Sequence, residues 1–155
     1  MPAAWGIAAL HRAIEGLTCT TAVHICYGYG IDENLRWKES LGSEWRQYEK
    51  IFPALNASSI DQISLECADS RVPMSLMGLL KDKGLMVGAI AVTGDRVETP
   101  EQVAATIRAA MKYVDPERLY PCSNCGMAPI PYAVALGKIR SLASGAAIVR
   151  KSLGS

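Results

Sequence analysis

The sequence predicts an α/β protein whose core is a parallel sheet of about four βα units. Helix and strand patterns take turns along the 155 residues. Strands that alternate strictly with helices are joined by right-handed crossovers and lie parallel. Half of the residues are hydrophobic and the formal net charge is only +1, so the chain can bury a core. These observations favour a single domain, or part of one, over residues 1–155.

Hydrophobic periodicity predicts each element in turn. Helices are expected at 5–15, closed by Gly16, and then at 43–55, 75–80, 99–114 and 132–150. Apolar runs between them predict strands at 20–28, 60–70, 85–94 and 118–122. No sequence repeat, low-complexity tract or interdomain linker interrupts this order.

Two of the predicted helices carry more detailed signals. Thr99 is an N-cap residue, Pro100 takes the first helical position, and Gln102 completes a capping box. In the last helix, one stripe is predicted to face the core and consists of Ala135, Ile139, Leu142 and Ala146.

Charge, hydropathy and cysteine content exclude several classes of protein. The net charge of +1 indicates neither a nucleic-acid partner nor an anionic membrane surface. We identify no apolar run long enough to span a bilayer, and the first 16 residues lack the features of a secretory signal. A cytoplasmic protein is therefore expected. In that reducing compartment, five cysteines favour metal binding or catalysis over a disulfide framework.

Three of the predicted strands lead into residues that can bind a metal. His24 and Cys26 close the first strand and point to the same face, because side chains alternate along a strand. Glu66 ends the second strand, and Cys122 and Cys125 follow the fourth. The carboxyl ends of parallel strands meet at one edge, so these side chains are expected to lie close together. Imidazole and thiolate are preferred ligands of zinc.

Simpler interpretations of the same residues remain open at this point. His24 and Cys26 also fit a hydrogen-bonded core histidine beside an inert buried cysteine. Cys122-x-x-Cys125 also fits half of a structural zinc site or a redox pair. The remaining candidates are predicted to lie outside the site: Cys67 in the core, Cys19 at the far end of the first strand and His11 on the solvated surface.

Five short motifs occur in a familiar order: HICYG, SLE, VETPEQV, DPERLYP and NCGMAP. Over nearly its whole length the sequence resembles the C-terminal catalytic, zinc-binding barrel of cobalamin-independent methionine synthase. The resemblance implies a (β/α)8 TIM barrel, of which the four visible units would be the C-terminal half. It also implies that the zinc ligands are His24, Cys26, Glu66 and Cys125.

The function implied by the resemblance is that of a zinc-dependent methyltransferase. It would activate the thiol of homocysteine for methyl transfer from 5-methyltetrahydrofolate (polyglutamate) to give methionine, the reaction of a 5-methyltetrahydropteroyltriglutamate-homocysteine S-methyltransferase. Two thiolates, a carboxylate and a neutral imidazole around Zn2+ carry a net charge of about −1. A thiolate that replaces Glu66 preserves this charge, so Glu66 is predicted to be the displaceable ligand. Substrate-binding residues are not identified.

One departure from the family bears on the methyl donor. Folate-using members end the third strand in Asp-x-His, whose histidine protonates the pterin, whereas this chain has Ala91 and Thr93. A thiol alkyltransferase with a methylcorrinoid donor is therefore one alternative, since that leaving group needs no proton. A non-catalytic zinc-binding half-barrel fragment is another. An open half-barrel exposes strand edges and an interior face, which predicts a homo-oligomer or a complementary half-barrel partner.

Overall fold

The computed structural model describes residues 2–29 and 32–154. Within these residues, four parallel strands form one sheet in the order β1-β2-β3-β4. The strands are β1 (Ala22–Ile25), β2 (Gln62–Glu66), β3 (Gly84–Ile90) and β4 (Leu119–Ser123). Each strand pairs with the next one in the chain, as in consecutive units of a barrel. The predicted α/β class with a parallel sheet is confirmed.

Helices of both kinds connect the strands. The α-helices are α1 (Pro2–Ala13), α2 (Asp32–Ser40), α3 (Phe52–Asn56), α4 (Pro100–Ala110) and α5 (Tyr132–Ser152). Short 3-10 helices lie at Gln47–Lys50, Met74–Leu79 and Pro116–Arg118. The predicted capping box of α4 is confirmed, because the Thr99 hydroxyl accepts from the N–H of Gln102 and the Gln102 side chain accepts from the N–H of Thr99.

Between β1 and β2 the structure differs from the prediction. Helix α2 is absent from the predicted elements, because its sequence DENLRWKES is strongly polar and shows no apolar stripe. The predicted helix at 43–55 is instead a 3-10 helix followed by the short α3. Pro53 lies in the first turn of α3, where its missing N–H is harmless, whereas it would break a longer helix.

The first three strands are shorter than predicted. Ala91 and Val92 lie within the predicted third strand and are buried, yet β3 ends at Ile90. Apolar residues thus continue past the last ladder hydrogen bonds into a buried loop. Hydropathy indicates which residues are buried, not which are paired in a sheet, so the predicted strand extends beyond the observed one.

The register of the strands puts polar side chains together on one face of the sheet. His24 pairs with Ser64, and Glu66 pairs with Gly88, which pairs with Cys122. Register partners on parallel strands point to the same side. We call the side that carries His24, Ser64, Glu66 and Cys122 the polar face.

The opposite face of the sheet packs against helices and forms the main core. Its buried residues include Ile63, Leu65, Leu85 and Val87 from the strands and Phe52, Leu55, Leu76 and Leu80 from the connections. A second cluster joins the end of β3 to α4 and α5 and contains Ala89, Ile90, Val103, Ala104, Ile107 and Val149. Burial of each such side chain contributes about 1.5–3 kcal/mol to the stability of the fold. The sheet is therefore held rigidly enough to position the residues at its carboxyl edge.

Helix α5 packs against α4 through a face that matches the predicted one only in part. Its buried residues are Lys138, Ser141, Gly145 and Val149. The predicted stripe is confirmed in part: Leu142 and Ala146 are half-buried against the second cluster, whereas Ile139 is 48% exposed. A Cβ at Gly145 would lie 2.6 Å from the Cβ of Val103 and 2.8 Å from the carbonyl oxygen of Pro100. The helices therefore approach too closely for a side chain at this point.

A buried ion pair ties α5 to the loop between β3 and α4. The Lys138 ammonium donates to a Glu98 carboxylate oxygen at 2.8 Å and to the Arg96 carbonyl at 2.6 Å. The other Glu98 oxygen accepts from the N–H of Ala91 at 2.9 Å. Burial raises the pKa of Glu98, but the hydrogen bonds from Lys138 and Ala91 outweigh it, so the pKa lies below its ordinary value.

Among the described residues, α5 is long and apolar enough to cross a membrane by length and composition alone. This finding differs from the sequence-based expectation that no segment is. A single helix of this kind is weak evidence for a membrane protein, and α5 packs against α4, β3 and β4. The cytoplasmic location stays a prediction.

We expect Gly145→Ala to lower the free energy of unfolding by about 1–3 kcal/mol, because the added methyl group overpacks the contact with α4. Urea unfolding measures this change. Gly6→Ala is the matched control, since Gly6 also lies inside a helix but has open space around its Cα; there alanine should stabilise by about 0.5–1 kcal/mol. Equal stabilisation by both substitutions would contradict the close helix contact.

Glu98 should make folding sensitive to acid. Its lowered pKa means that the carboxylate stabilises the fold fully above its unfolded pKa, and that this contribution is lost as the pH falls through the folded pKa. The free energy of unfolding should therefore fall from about pH 5 downwards, and less steeply in Glu98→Gln. The exposed Glu117 provides the control, since Glu117→Gln should leave the wild-type pH dependence in place. An unchanged slope in Glu98→Gln would be the contrary result.

Candidate metal centre

The carboxyl edge of the sheet brings one histidine and two cysteines into a single cluster. The possible ligand atoms of His24, Cys26 and Cys125 all lie within 4.8 Å of one another. His24 lies on β1, Cys26 follows that strand directly, and Cys125 follows β4. The structure thus joins residues about a hundred positions apart in the chain, from the two edge strands of the sheet.

Ser64 orients the imidazole of His24. The Nδ1 atom of His24 lies 3.0 Å from the hydroxyl oxygen of Ser64, its register partner on β2. Ser64 is only 8% exposed, so its hydroxyl has few competing partners. A protonated Nδ1 that donates to Ser64 leaves Nε2 with a free lone pair. Such outer hydrogen bonds commonly hold metal-binding histidines in place.

The pKa of the Cys26 thiol lies above its ordinary value. Burial raises its pKa, and the nearby Cys125 and Glu66 raise it further, whereas a hydrogen bond from the backbone of Gly28 lowers it. The net effect is an upward shift. A cation at the cluster would reverse this balance, because a metal binds the thiolate form.

Glu66 lies at the same edge but outside the cluster of three. Its side chain is buried, with 2% exposed. One carboxylate oxygen accepts from the N–H of Tyr27 at 2.8 Å, and the other accepts from the hydroxyl of Tyr29 at 2.6 Å. These two donors give the buried carboxylate the partners that its charge requires. Burial and the hydrogen bond to Glu66 also raise the pKa of Tyr29, so its hydroxyl stays a donor.

Asn124 connects the end of β4 to the loop after β2. It is 1% exposed, and its carbonyl oxygen accepts from the N–H groups of Cys67 and Ala68 at 3.0 and 3.2 Å. Its amide nitrogen donates to the Ala68 carbonyl at 2.6 Å and to the Tyr29 hydroxyl at 3.5 Å. Asn124 therefore positions the neighbouring Cys125 and contacts the residue that holds Glu66.

Gly88 makes room for Asn124. A Cβ at Gly88 would lie 2.8 Å from both the Cα of Asn124 and the carbonyl oxygen of Leu65. Both contacts involve backbone atoms, which cannot move aside cheaply. A glycine in the middle of the sheet is typical of such a close approach.

Helix α2 is fastened to the segment that follows Cys26. Asn34 donates to the carbonyl of Tyr27 at 2.5 Å, and the ammonium of Lys38 donates to the carbonyl of Gly28 at 2.7 Å. The same ammonium lies 4.8 Å from the ring centroid of Tyr29, within the range of a cation–π contact. These contacts hold the backbone and the ring that supply both donors to Glu66.

Cys122 lies on the polar face but is not one of the three clustered residues. Burial raises the pKa of its thiol, and a hydrogen bond with Ser64 partly offsets this. Cys122 and Cys125 thus have different surroundings, although their spacing in the sequence is that of a ligand or redox pair.

The other candidates lie where the sequence predicts. Cys67 is buried, with 8% exposed, and burial raises the pKa of its thiol to about 12. Cys19 is exposed. His11 is exposed as well, and its Nε2 accepts a hydrogen bond from the N–H of Ser59 at 3.1 Å.

Four residues that support the site at this edge are not among the site residues predicted from the sequence: Ser64, Tyr29, Asn124 and Lys38. The sequence could have indicated Ser64, because it lies two positions before Glu66 and therefore on the same face of the strand. Asn124 is adjacent to Cys125 within the quoted motif NCGMAP. Tyr29 and Lys38 have no such signal, since their roles depend on contacts made in three dimensions.

Comparison with known proteins yields one family and several relatives. Residues 43–147 match the family model described as "Cobalamin-independent synthase, Catalytic domain". A curated methionine synthase of Sulfurisphaera tokodaii is 28% identical over 149 residues, which are 96% of this chain and 39% of that protein. A curated methionine synthase of Saccharolobus islandicus (strain Y.G.57.14) is 31% identical over 153 residues, 96% of this chain and 40% of that protein.

A solved structure shows the same fold. It is described as a B12-independent methionine synthase from Shewanella sp. W3-18-1 in complex with selenomethionine, and it is 61% identical with a TM-score of 0.92. The match covers 97% of this chain and 44% of that one. The predicted equivalence of the four βα units to half of a (β/α)8 barrel is confirmed by this match. The chain spans about two fifths of the length of its curated relatives.

We expect Ser64→Ala to weaken zinc binding by about 10- to 100-fold, because the imidazole of His24 loses the hydrogen bond that orients it. Competition with a fluorescent zinc chelator measures the affinity. Ser58→Ala is the matched control, since Ser58 is also 8% exposed but bonds the Leu55 carbonyl, away from the cluster. Equal affinities of the two variants would show that Ser64 does not orient His24.

Proposed function

Because this chain belongs to the cobalamin-independent synthase catalytic-domain family, we propose that it carries the zinc-binding half of a methyltransferase site. The acceptor is the thiol of homocysteine and the product is methionine. The curated relatives named methionine synthase support this reaction. The observation that carries the proposal for this chain is the convergence of His24, Cys26 and Cys125 within 4.8 Å.

The proposed metal is zinc, held by His24, Cys26 and Cys125 with Glu66 as the fourth ligand. One imidazole and two thiols form a donor set that zinc prefers. Zinc bond lengths place neighbouring tetrahedral ligand atoms roughly 3.3–3.8 Å apart, and the 4.8 Å limit of the cluster is compatible with small adjustments to that spacing. When bound, zinc lowers the pKa of an incoming thiol so that the thiol reacts as thiolate near neutral pH.

Glu66 is proposed to be the ligand that the thiol replaces. Exchange of one anion for another preserves the charge of the site, whereas loss of the neutral imidazole would make it more negative. The Glu66 carboxylate also has two donors of its own, Tyr27 and Tyr29, which can hold it away from a metal.

The proposed methyl donor is 5-methyltetrahydrofolate. The family is described as cobalamin-independent, which gives the alternative methylcorrinoid donor no support. The residues that replace the family's Asp-x-His lie after β3, where Ala91 is buried and Thr93 is exposed. Neither side chain is an effective acid at neutral pH, so the pterin nitrogen must receive its proton from another residue or from water.

The remainder of the site is proposed to come from further protein. Within the described residues, β1 and β4 each pair with a single strand, and parallel sheets are normally covered on both faces. A complementary half-barrel or a second copy of this chain would cover the polar face. On this view residues 1–155 are one partial barrel domain, and the groups that bind the amino-acid end of homocysteine lie on the partner.

The first test is metal binding. We expect about one zinc per chain, with tight binding abolished by Cys26→Ser or Cys125→Ser, because each removes a thiolate ligand. Cys122→Ser is the matched control and should retain the metal. Atomic emission after dialysis against a weak chelator gives the zinc content. Equal losses in all three variants would instead support a site built on Cys122-x-x-Cys125.

The second test is ligand exchange. On addition of homocysteine to the zinc-loaded chain, zinc K-edge absorption should show one nitrogen or oxygen ligand replaced by a third sulfur. About one proton per site should be released as the thiol binds. An unchanged set of ligands at saturating homocysteine would identify the chain as a non-catalytic zinc-binding module, since structural zinc sites are closed to exchange.

A further inference from the structure

We propose that Tyr29 is a positioning residue that, together with the N–H of Tyr27, receives the Glu66 carboxylate when a thiol displaces it from the metal. This inference rests on the proposed function. It assigns to the chain a prepared place for the outgoing ligand, which we call the carboxylate cradle and define by the hydroxyl of Tyr29 and the N–H of Tyr27.

The first argument is that the cradle satisfies both oxygens of Glu66. One oxygen lies 2.8 Å from the nitrogen of Tyr27, and the other lies 2.6 Å from the hydroxyl oxygen of Tyr29. Glu66 is only 2% exposed, so a carboxylate released at this position depends on the protein for its donors. A buried charge without donors is strongly unfavourable, and the cradle removes that penalty.

The second argument is that the hydroxyl of Tyr29 is held in the donating orientation. The amide nitrogen of Asn124 donates to the phenolic oxygen at 3.5 Å, which leaves the phenolic hydrogen for Glu66. Asn124 is itself fixed, since it is 1% exposed and bonds Cys67 and Ala68. The Tyr29 hydroxyl is therefore already oriented as a donor when the carboxylate arrives.

The third argument concerns the support of the cradle from α2. The Lys38 ammonium donates to the carbonyl of Gly28, between the two cradle residues, and lies 4.8 Å from the ring centroid of Tyr29. Its positive charge thus lies beside the group that receives an anion. Because Phe also offers a ring to Lys38, the substitution Tyr29→Phe removes the hydroxyl and leaves this support in place.

The test compares Tyr29→Phe with Tyr48→Phe. Both remove one phenolic hydroxyl, but Tyr48 lies outside the cradle, and its buried hydroxyl has no hydrogen-bond partner among the described residues. In Tyr29→Phe, the affinity of the zinc-loaded chain for homocysteine should fall about 10- to 100-fold, as expected when a charged group loses a hydrogen bond. The affinity for zinc without thiol should not fall. Tyr48→Phe should match the wild type in both measurements.

Calorimetric titration with homocysteine and the sulfur count at the zinc K-edge provide the readouts. Lower zinc affinity in Tyr29→Phe before any thiol is added would mean that the hydroxyl holds Glu66 on the metal, and the inference would be wrong. Identical behaviour of Tyr29→Phe and Tyr48→Phe would equally overturn it.

A second variant separates Glu66 from other targets of Tyr29. In a Glu66→Ala background, adding Tyr29→Phe should not change homocysteine affinity further; a further loss would mean that Tyr29 contacts the substrate directly, which contradicts the cradle. If the zinc-loaded wild type gains no sulfur from homocysteine, the proposed function fails and the inference fails with it. If the wild type gains a sulfur and Tyr29→Phe does so equally well, only the inference fails.

Discussion

Two carboxylates are buried at the carboxyl edge of the sheet, and the need to supply each with donors determines how the surrounding loops are arranged. Glu66 takes its donors from the segment after β1, which places that segment over the end of β2. Glu98 takes its donors from Lys138 on α5 and from the backbone after β3. A buried carboxylate without such partners would be strongly unfavourable, so these contacts fix loops that hydrophobic packing alone would leave free.

The candidate metal centre depends on these fixed loops. The sheet places His24 directly, but Cys26 and Cys125 lie just beyond the strands, where the ladder no longer determines side-chain direction. Tyr27, in the segment that carries Cys26, is bonded to Glu66, and Asn124, next to Cys125, is bonded to the loop after β2. The positions of the thiols are therefore set by buried polar contacts, which act as the outer layer of support that metal sites require.

On the proposed function, this chain holds the candidate metal ligands and further protein adds the rest of the site. The cluster, the carboxylate and its donors lie within the described residues, and on the polar face His24 is exposed whereas Ser64 and Glu66 are buried. Active sites in barrels draw residues from the ends of several strands. A metal-binding half and a substrate-binding half of one barrel would fit this pattern. On the proposed function, the four candidate ligands therefore all lie within a chain that spans about two fifths of a relative's length.

Local patterns in the sequence were sufficient to predict the parallel α/β class and the capping box of α4, because alternation and caps involve neighbours in the chain. Strand-end motifs also indicated that His24, Cys26 and Cys125 lie at one edge of the sheet, whereas the set of zinc ligands is what the family resemblance implies and stays a proposal. Only the tertiary structure decided the rest. From hydropathy alone, Ile139 is expected in the core. The structure instead buries Gly145, because α4 approaches too closely for a side chain there, and Lys138, because it forms an ion pair with the buried Glu98. The donors to Glu66 and the polar helix α2 likewise depend on contacts between distant segments, whose energies no local pattern contains.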